Sequence, residues 1–250
     1  MKIIGIIPAR YASTRFPGKP LVDIHGKTMI KRVYEQAKKT TLLSDVYVAT
    51  DDARIFDHVV GFGGKAMMTS EHHRTGTERC HEVVTKLQAE NVPIDVAINI
   101  QGDEPFIHPE QIDMLATCFS NPDVHIATLI KKIIHADELS DANTIKVVVN
   151  KLNDAIYFSR TAIPFMRDKY HETWINFHTY YKHIGIYAYR TVTLTNITAL
   201  PPGSLETAES LEQLRWLENG YHIHTLLTEF ESHSVDVPAD LLKFDTLAKD

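Results

Sequence analysis

Arg10, Arg15 and Lys19 fall in one short segment, PARYASTRFPGKP (8–20), among the small residues Ala9, Ala12, Ser13, Thr14 and Gly18. Three cations can neutralise a polyphosphate, and small residues let backbone N–H groups approach an anion closely. The spacing is not a Walker A loop, which needs GxxxxGK followed by Ser or Thr. Nor is it GxGxxG, so a dinucleotide cofactor is disfavoured. Taken alone, the segment also fits an exposed basic loop.

Two acidic residues far apart in sequence complement it. Asp103 lies in NIQGDEP (99–105), close to Gln101, and Asp236 lies in SVDVPADL (234–241). Magnesium prefers oxygen ligands and typically takes one or two carboxylates plus substrate oxygens, so the pair could share one ion. Gly-Asp-Glu-Pro is equally good turn chemistry, and a lone Asp before Pro also fits a cap. Asp240 falls inside the next helical turn, where it would face the helix dipole.

A third set lies in FSRTAIP (158–164), YKHIGIYAYR (181–190) and SLETAESLEQLRWLEN (204–219). Strand alternation groups His183, Gly185, Tyr187 and Tyr189 on one face, opposite Ile184, Ile186 and Ala188. His and Tyr hydrogen-bond hydroxyls, and Arg160 can pair with a carboxylate. On the helix, Leu211, Leu214 and Leu217 form the packing arc and Glu212 lies off it. Solvated sheet and helix surface is the alternative for each of these residues.

The elements that must position these groups alternate between strand and helix. KIIGII (2–7) reads as a strand apolar throughout, as burial on both faces requires. Strands are predicted at 45–50, 95–101, 125–133, 145–151, 155–159, 182–189 and 222–230. Helices are predicted at 28–39, 77–90, 109–119, 204–219 and 238–248. The pattern predicts an α/β fold, a mostly parallel sheet flanked by helices, with an inserted β-rich subdomain. Ligands bind such sheets at the carboxyl ends of the strands, where 8–20 and 99–105 both fall.

Composition narrows the function. The 250 residues carry a net charge of −6, which argues against a nucleic-acid partner. Two isolated cysteines argue against a disulfide scaffold or thiolate zinc site and favour a reducing compartment. Fourteen histidines are scattered without HExxH and read as surface or core residues. The apolar run before Pro8 is shorter than a secretory h-region, and no stretch approaches a membrane span, so a cytoplasmic protein without a membrane partner is expected.

Eight segments in order are IIPARYASTRFPGKPL (6–21), VATDD (48–52), GTER (76–79), NIQGDEP (99–105), FSR…IP (158–164), HIGIYAYR (183–190), LEQLRWLENG (211–220) and VDVPADL (235–241). Together they resemble the 3-deoxy-manno-octulosonate (Kdo) cytidylyltransferases, or CMP-Kdo synthetases, from end to end. Departures are mild: Phe16 stands where Leu is usual, and Val237 and Ala239 where Thr and Glu are usual.

The resemblance implies one cytidylyltransferase domain over 1–250, of the nucleotide-diphospho-sugar transferase type. It implies a β-rich dimerisation and sugar-binding portion around 145–200. The implied reaction is CTP plus Kdo to CMP-Kdo and pyrophosphate with Mg²⁺, in a cytoplasmic homodimer serving lipopolysaccharide biosynthesis. In that reading Arg10, Arg15 and Lys19, with backbone around Ser13, hold the triphosphate. Asp103 and Asp236 bind Mg²⁺, and Arg10, Lys19 and these two acids form the catalytic set. Pro8, Ala9 and the Arg79 region meet the nucleotide's base. Gln101, Arg160, His183, Tyr187, Glu212 and Gln213 face Kdo. Cytidylyltransferases for sialic acid or 8-amino-Kdo share the first loop and the metal carboxylates and differ on the sugar side. A catalytically silent nucleotide-binding protein on this fold is disfavoured because Lys19, Asp103 and Asp236 are all present.

Overall fold

Strand β1 (Ile3–Ala9) forms where the apolar run predicts it. Its isoleucines are at most 5% exposed, so both faces are covered. The structure, a computed structural model, describes residues 1–12, 16–231 and 233–245. The chain divides into two units: Met1–Thr117 with the stretch after Glu231, and Cys118–Glu231.

In the first unit β1 is followed by a small hairpin, β2 (Asp23–Ile24) and β3 (Lys27–Thr28), and by helix α1 (Met29–Ala37). Then come β4 (Asp45–Thr50), α2 (Ala53–Gly61), β5 (Ala66–Met68), α3 (Gly76–Ala89), β6 (Val96–Asn99) and α4 (Pro109–Cys118). The order β6-β1-β4-β5 is parallel throughout. Right-handed crossovers put α1 and α2 on one face of this sheet and α3 on the other, because the chain reverses direction between β5 and β6. That reversal leaves a crevice at the carboxyl ends of β1 and β6, where chains leaving adjacent strands diverge.

Local sequence accounts for these helices. On α1, Met29, Ile30, Val33, Tyr34 and Ala37 form the buried stripe at helical spacing. Helix α2, which periodicity did not reveal, starts where the Asp52 carboxylate accepts the Arg54 N–H at 2.9 Å. Helix α3 opens with a capping box: Thr75 accepts the Glu78 N–H at 3.2 Å, and Glu78 reaches back to the Thr75 N–H at 3.3 Å.

The second unit is more mixed, as the β-rich reading predicts. It contains β7 (Ile126–Lys132), α5 (Asp137–Ser140), β8 (Lys146–Val149), β9 (Ala155–Ser159) and β10 (Tyr181–Arg190). Helices α6 (Thr191–Thr198), α7 (Ser204–Glu209) and α8 (Gln213–Glu218) follow, then β11 (His224–Leu227). Strand β7 lies between antiparallel β10 and parallel β11, and β8 pairs antiparallel with both β10 and β9.

Three expectations change here. The single helix over 204–219 is two, broken at Ser210, which takes a left-handed φ of 53°. The break is stabilised from outside: Arg160 donates to the Glu209 carbonyl at 2.6 Å and the Ser210 carbonyl at 3.3 Å. Strict alternation in 182–189 fails because a bulge between Ile184 and Tyr187 shifts the register, and Ile186 through Tyr189 are all buried. The helix predicted over 238–248 is a 3₁₀ turn over Pro238–Asp245, and residues 246–250 lie outside those described. Among the described residues, no helix is long and apolar enough to cross a membrane.

Candidate active site

At the crevice of the first unit lies a cavity of about 500 Å³. Pro8, Ala9, Arg10, Ala12 and Lys19 reach it from the β1 end, and Gln101, Gly102 and Asp103 from the loop after β6. Asp236 lines the same cavity from the C-terminal stretch. The two acids assigned to a shared cation are thus on one wall system with the cations assigned to an anion. Ser13 and Arg15 lie outside the described residues.

Lys19 holds these segments together. Its ammonium donates to the Asp103 carboxylate at 2.8 Å and to the Val235 carbonyl at 2.7 Å. The Val235 N–H in turn donates to the Asp103 carbonyl at 2.9 Å. Apolar packing brings Val235 there: it is fully buried with Ile24 and Met29, and Phe16, Val22, Phe106 and Leu241 pack around them. Asp240 lies in the first turn of the segment over Pro238–Asp245, as its position suggested. Its carboxylate accepts the N–H groups of Asp236 at 2.8 Å and Val237 at 3.0 Å, which fixes the backbone carrying Asp236.

Gly102 shows why this loop needs a residue without a side chain. A β-carbon there would stand 2.5 Å from the Pro8 carbonyl oxygen, so the two strand ends could not approach as they do.

Arg79 departs from its expected role. It is 1% exposed and does not line the cavity. Its guanidinium donates to the Thr69 hydroxyl and to the Asp51 carboxylate at 3.0 Å, joining α3 to the ends of β4 and β5. The Asp of VATDD that receives it had no assigned role in the sequence; a buried Arg needs a carboxylate partner, and that was the available signal.

The remaining sugar-side residues lie in the second unit. Arg160 is committed to backbone: besides Glu209 and Ser210 it donates to the Ala142 carbonyl at 3.0 Å. Its segment is clamped, because the Glu209 carboxylate accepts the Ser159 hydroxyl at 2.7 Å and the Arg160 N–H at 2.9 Å. The buried Lys146 ammonium donates to the carbonyls of Asp141, Thr144 and Arg160 at 2.8, 2.6 and 2.5 Å. His183 sits between the rings of Phe158 and Tyr187, with centroids 5.3 and 5.0 Å away. Desolvation pulls its pKa down to about 3, so the imidazole is neutral at pH 7. Its Nε2 is 2.9 Å from the Thr128 hydroxyl, which donates to the Ile186 carbonyl. Burial, and next the Glu212 carboxylate, push the Tyr187 phenol well up. Gln213 opens α8 and is 5% exposed.

Two carboxylates lining a cavity with a lysine and an arginine suit a divalent cation that completes its shell with substrate oxygens. Among the described residues no group of three or more His, Cys, Asp or Glu side chains could hold a metal alone. The donor set therefore fits an ion that arrives with an anionic substrate.

Comparison with known proteins points the same way. The cytidylyltransferase family model matches residues 4–225. A 3-deoxy-manno-octulosonate cytidylyltransferase of Parabacteroides distasonis is 56% identical over 97% of this chain and 96% of its own length. One from Thermodesulfovibrio yellowstonii is 48% identical over 96% of each chain. Among solved structures, a CMP:2-keto-3-deoxy-manno-octonic acid synthetase complexed with CTP superposes with a TM-score of 0.90 at 44% identity, covering 99% of this chain and 98% of that one. A glucose-1-phosphate thymidylyltransferase from Bacillus anthracis, 18% identical with a TM-score of 0.62, shares the fold. With the first loop, both acidic segments and the sheet order all in place, the chain belongs to the 3-deoxy-manno-octulosonate cytidylyltransferases, a family of nucleotidyltransferases.

Proposed function

We propose that the cavity at the ends of β1 and β6 is the CTP site. There the chain transfers the cytidylyl group of CTP to the anomeric hydroxyl of Kdo, releasing pyrophosphate. The observation that carries this reading is the convergence of Arg10, Lys19, Asp103 and Asp236 on one cavity from distant parts of the chain.

In-line attack of the sugar hydroxyl on the α-phosphorus needs little covalent help from the protein. Positioning and charge stabilisation dominate. Lys19 and Arg10 are placed to bind the triphosphate and to stabilise charge on the departing pyrophosphate. When bound, Mg²⁺ on Asp103 and Asp236 would supply Lewis acidity and lower the pKa of the attacking hydroxyl. The Asp103 carboxylate also accepts a hydrogen bond from the Lys19 ammonium at 2.8 Å. Pro8 and Ala9 offer backbone to the base, and Gln101 offers an amide to a hydroxyl or carboxylate on the same cavity wall. In the second unit, the neutral imidazole of His183, the Tyr187 phenol, the Glu212 carboxylate and the Gln213 amide carry donors and acceptors suited to a polyhydroxylated sugar acid.

The product suits lipopolysaccharide assembly, and the chain is proposed to work in the cytoplasm as a homodimer. Neither Cys80 nor Cys118 is in a disulfide, which suits a reducing compartment. Phe165, Tyr170 and Phe177, at 77, 84 and 57% exposed, offer apolar surface for self-association. Light scattering at micromolar concentration tests the dimer.

Pyrophosphate release measured with CTP, UTP, ATP and GTP, with and without Kdo, tests the function. Release is expected only with CTP, Kdo and Mg²⁺ together, and to stop on chelation. Release independent of Kdo, or equal with another nucleotide, would overturn the proposal.

A further inference from the structure

Arg10 is an exposed side chain whose direction is set by a neighbouring loop. Its Nη1 donates to the His73 carbonyl at 3.3 Å. That loop is gripped by α3. The Glu82 carboxylate is 2.5 Å from His73 Nε2 and accepts the Ser70 N–H at 2.8 Å. One turn earlier, Glu78 accepts the N–H groups of Arg74 at 2.6 Å and Thr75 at 3.3 Å, and stands 3.9 Å from His73 Nδ1. Lys86 braces Glu82 from the next turn at 2.7 Å. Burial alone would raise the Glu82 carboxyl, but hydrogen bonds from Lys86, the Ser70 amide and His73 outweigh it and hold its pKa at about 2.

We propose that Glu82 is a positioning residue for nucleotide binding: through His73 it fixes the carbonyl that aims Arg10 into the cavity. Without that carbonyl a long exposed arginine samples many rotamers, and ordering it falls to the incoming triphosphate. The proposal rests on the reading of Arg10 as a triphosphate ligand, and the test separates the two.

A double-mutant cycle of Glu82→Ala and Arg10→Ala, with CTP binding followed by calorimetry and KM and kcat by pyrophosphate release, decides it. Glu82→Ala is expected to weaken CTP binding about tenfold, with KM for CTP rising and kcat moving less than threefold. In the Arg10→Ala background the same change is expected to add less than twofold. Glu82→Gln, which keeps an oxygen for Ser70 and His73, is expected to recover most of the affinity. It also keeps the test open if the alanine variant fails to fold. Equal losses from Glu82→Ala in both backgrounds would overturn the proposal, since damage to the loop in general needs no Arg10. Unchanged CTP affinity in Glu82→Ala, with Arg10→Ala weakened, would overturn it alone. Unchanged affinity in Arg10→Ala would overturn the underlying assignment and the proposal together.

Discussion

The Lys19 ammonium lies 2.8 Å from the Asp103 carboxylate although 84 residues separate them in sequence. It reaches the Val235 carbonyl, 216 residues away, at 2.7 Å. One cation therefore joins the first loop, the loop after β6 and the C-terminal stretch beside the cavity. Lys19→Met should remove both a phosphate contact and this junction. The expected outcome is a fall in kcat/KM for CTP of about 10²–10³-fold, the loss typical of one preorganised charge contact. Lys19→Arg should not restore the rate, because a planar guanidinium cannot give two bonds to the same partners in the same directions. An unchanged rate would move the polyphosphate elsewhere.

Asp103→Asn and Asp236→Asn keep side-chain volume and remove charge. Each is expected to abolish most turnover while urea denaturation midpoints stay near the parent value. Binding of Mn²⁺ in the presence of CTP, followed by electron paramagnetic resonance, should weaken in both variants. Normal turnover in either would remove that carboxylate from the metal site.

Gly102→Ala tests the closeness of the two strand ends, where the added carbon would stand 2.5 Å from the Pro8 oxygen. The backbone must move apart, at a cost of about 1–3 kcal/mol. KM for CTP should rise along with the loss of stability. Parent-like KM and parent-like melting together would show that the loop has room to adjust.

Arg79→Met leaves Asp51 without its buried partner, with Asp51 itself 16% exposed. Breaking such a pair costs about 3–5 kcal/mol when fully buried, and the lower end is expected here. Equilibrium urea unfolding measures it directly. A loss under about 1 kcal/mol would mean the pair contributes shape alone.

The Glu82 carboxyl has a folded pKa of about 2, below its ordinary value of 4.5. As pH falls from 5, the unfolded chain binds the proton first. The stabilisation from this group is complete above about 4.5 and is lost as pH falls toward 2. The stability difference between the parent and Glu82→Gln should therefore shrink as pH drops from 5 to 2.5, by at most about 1.4 kcal/mol per pH unit. Urea midpoints of both proteins at pH 5, 4 and 3 check this, and a constant difference would sink it.

Much of the fold and of the candidate site was present in one-dimensional pattern. The continuous apolar run of β1, the helical spacing of Met29, Ile30, Val33 and Ala37, and the Thr75–Glu78 box are short-range features, each tied to local backbone geometry. Arg10, Lys19 and Asp103 could be named because ligands in a parallel sheet sit where strands end, whereas Gln101 was named only by the family resemblance. The break at Ser210 could not be read, since the helical spacing of Leu211, Leu214 and Leu217 begins only after it and Ser210 itself is not a glycine or proline. It depends on Arg160, contributed from the bend just after β9 about fifty residues earlier, which donates to the carbonyls of Glu209 and Ser210. The burial of Arg79 against Thr69 and Asp51 could not be read for a similar reason: which face of α3 meets the sheet depends on packing with β1 and β6.

Residue types and their local spacing determined which side chains could bind phosphate and which could hold a cation, because charge and donor geometry belong to each residue alone. Tertiary structure alone decided that Asp236 faces Lys19 and Asp103. Val235 is buried with Ile24 and Met29, and Asp240 holds the Asp236 backbone, so burial of apolar surface far along the chain sets where the acid stands.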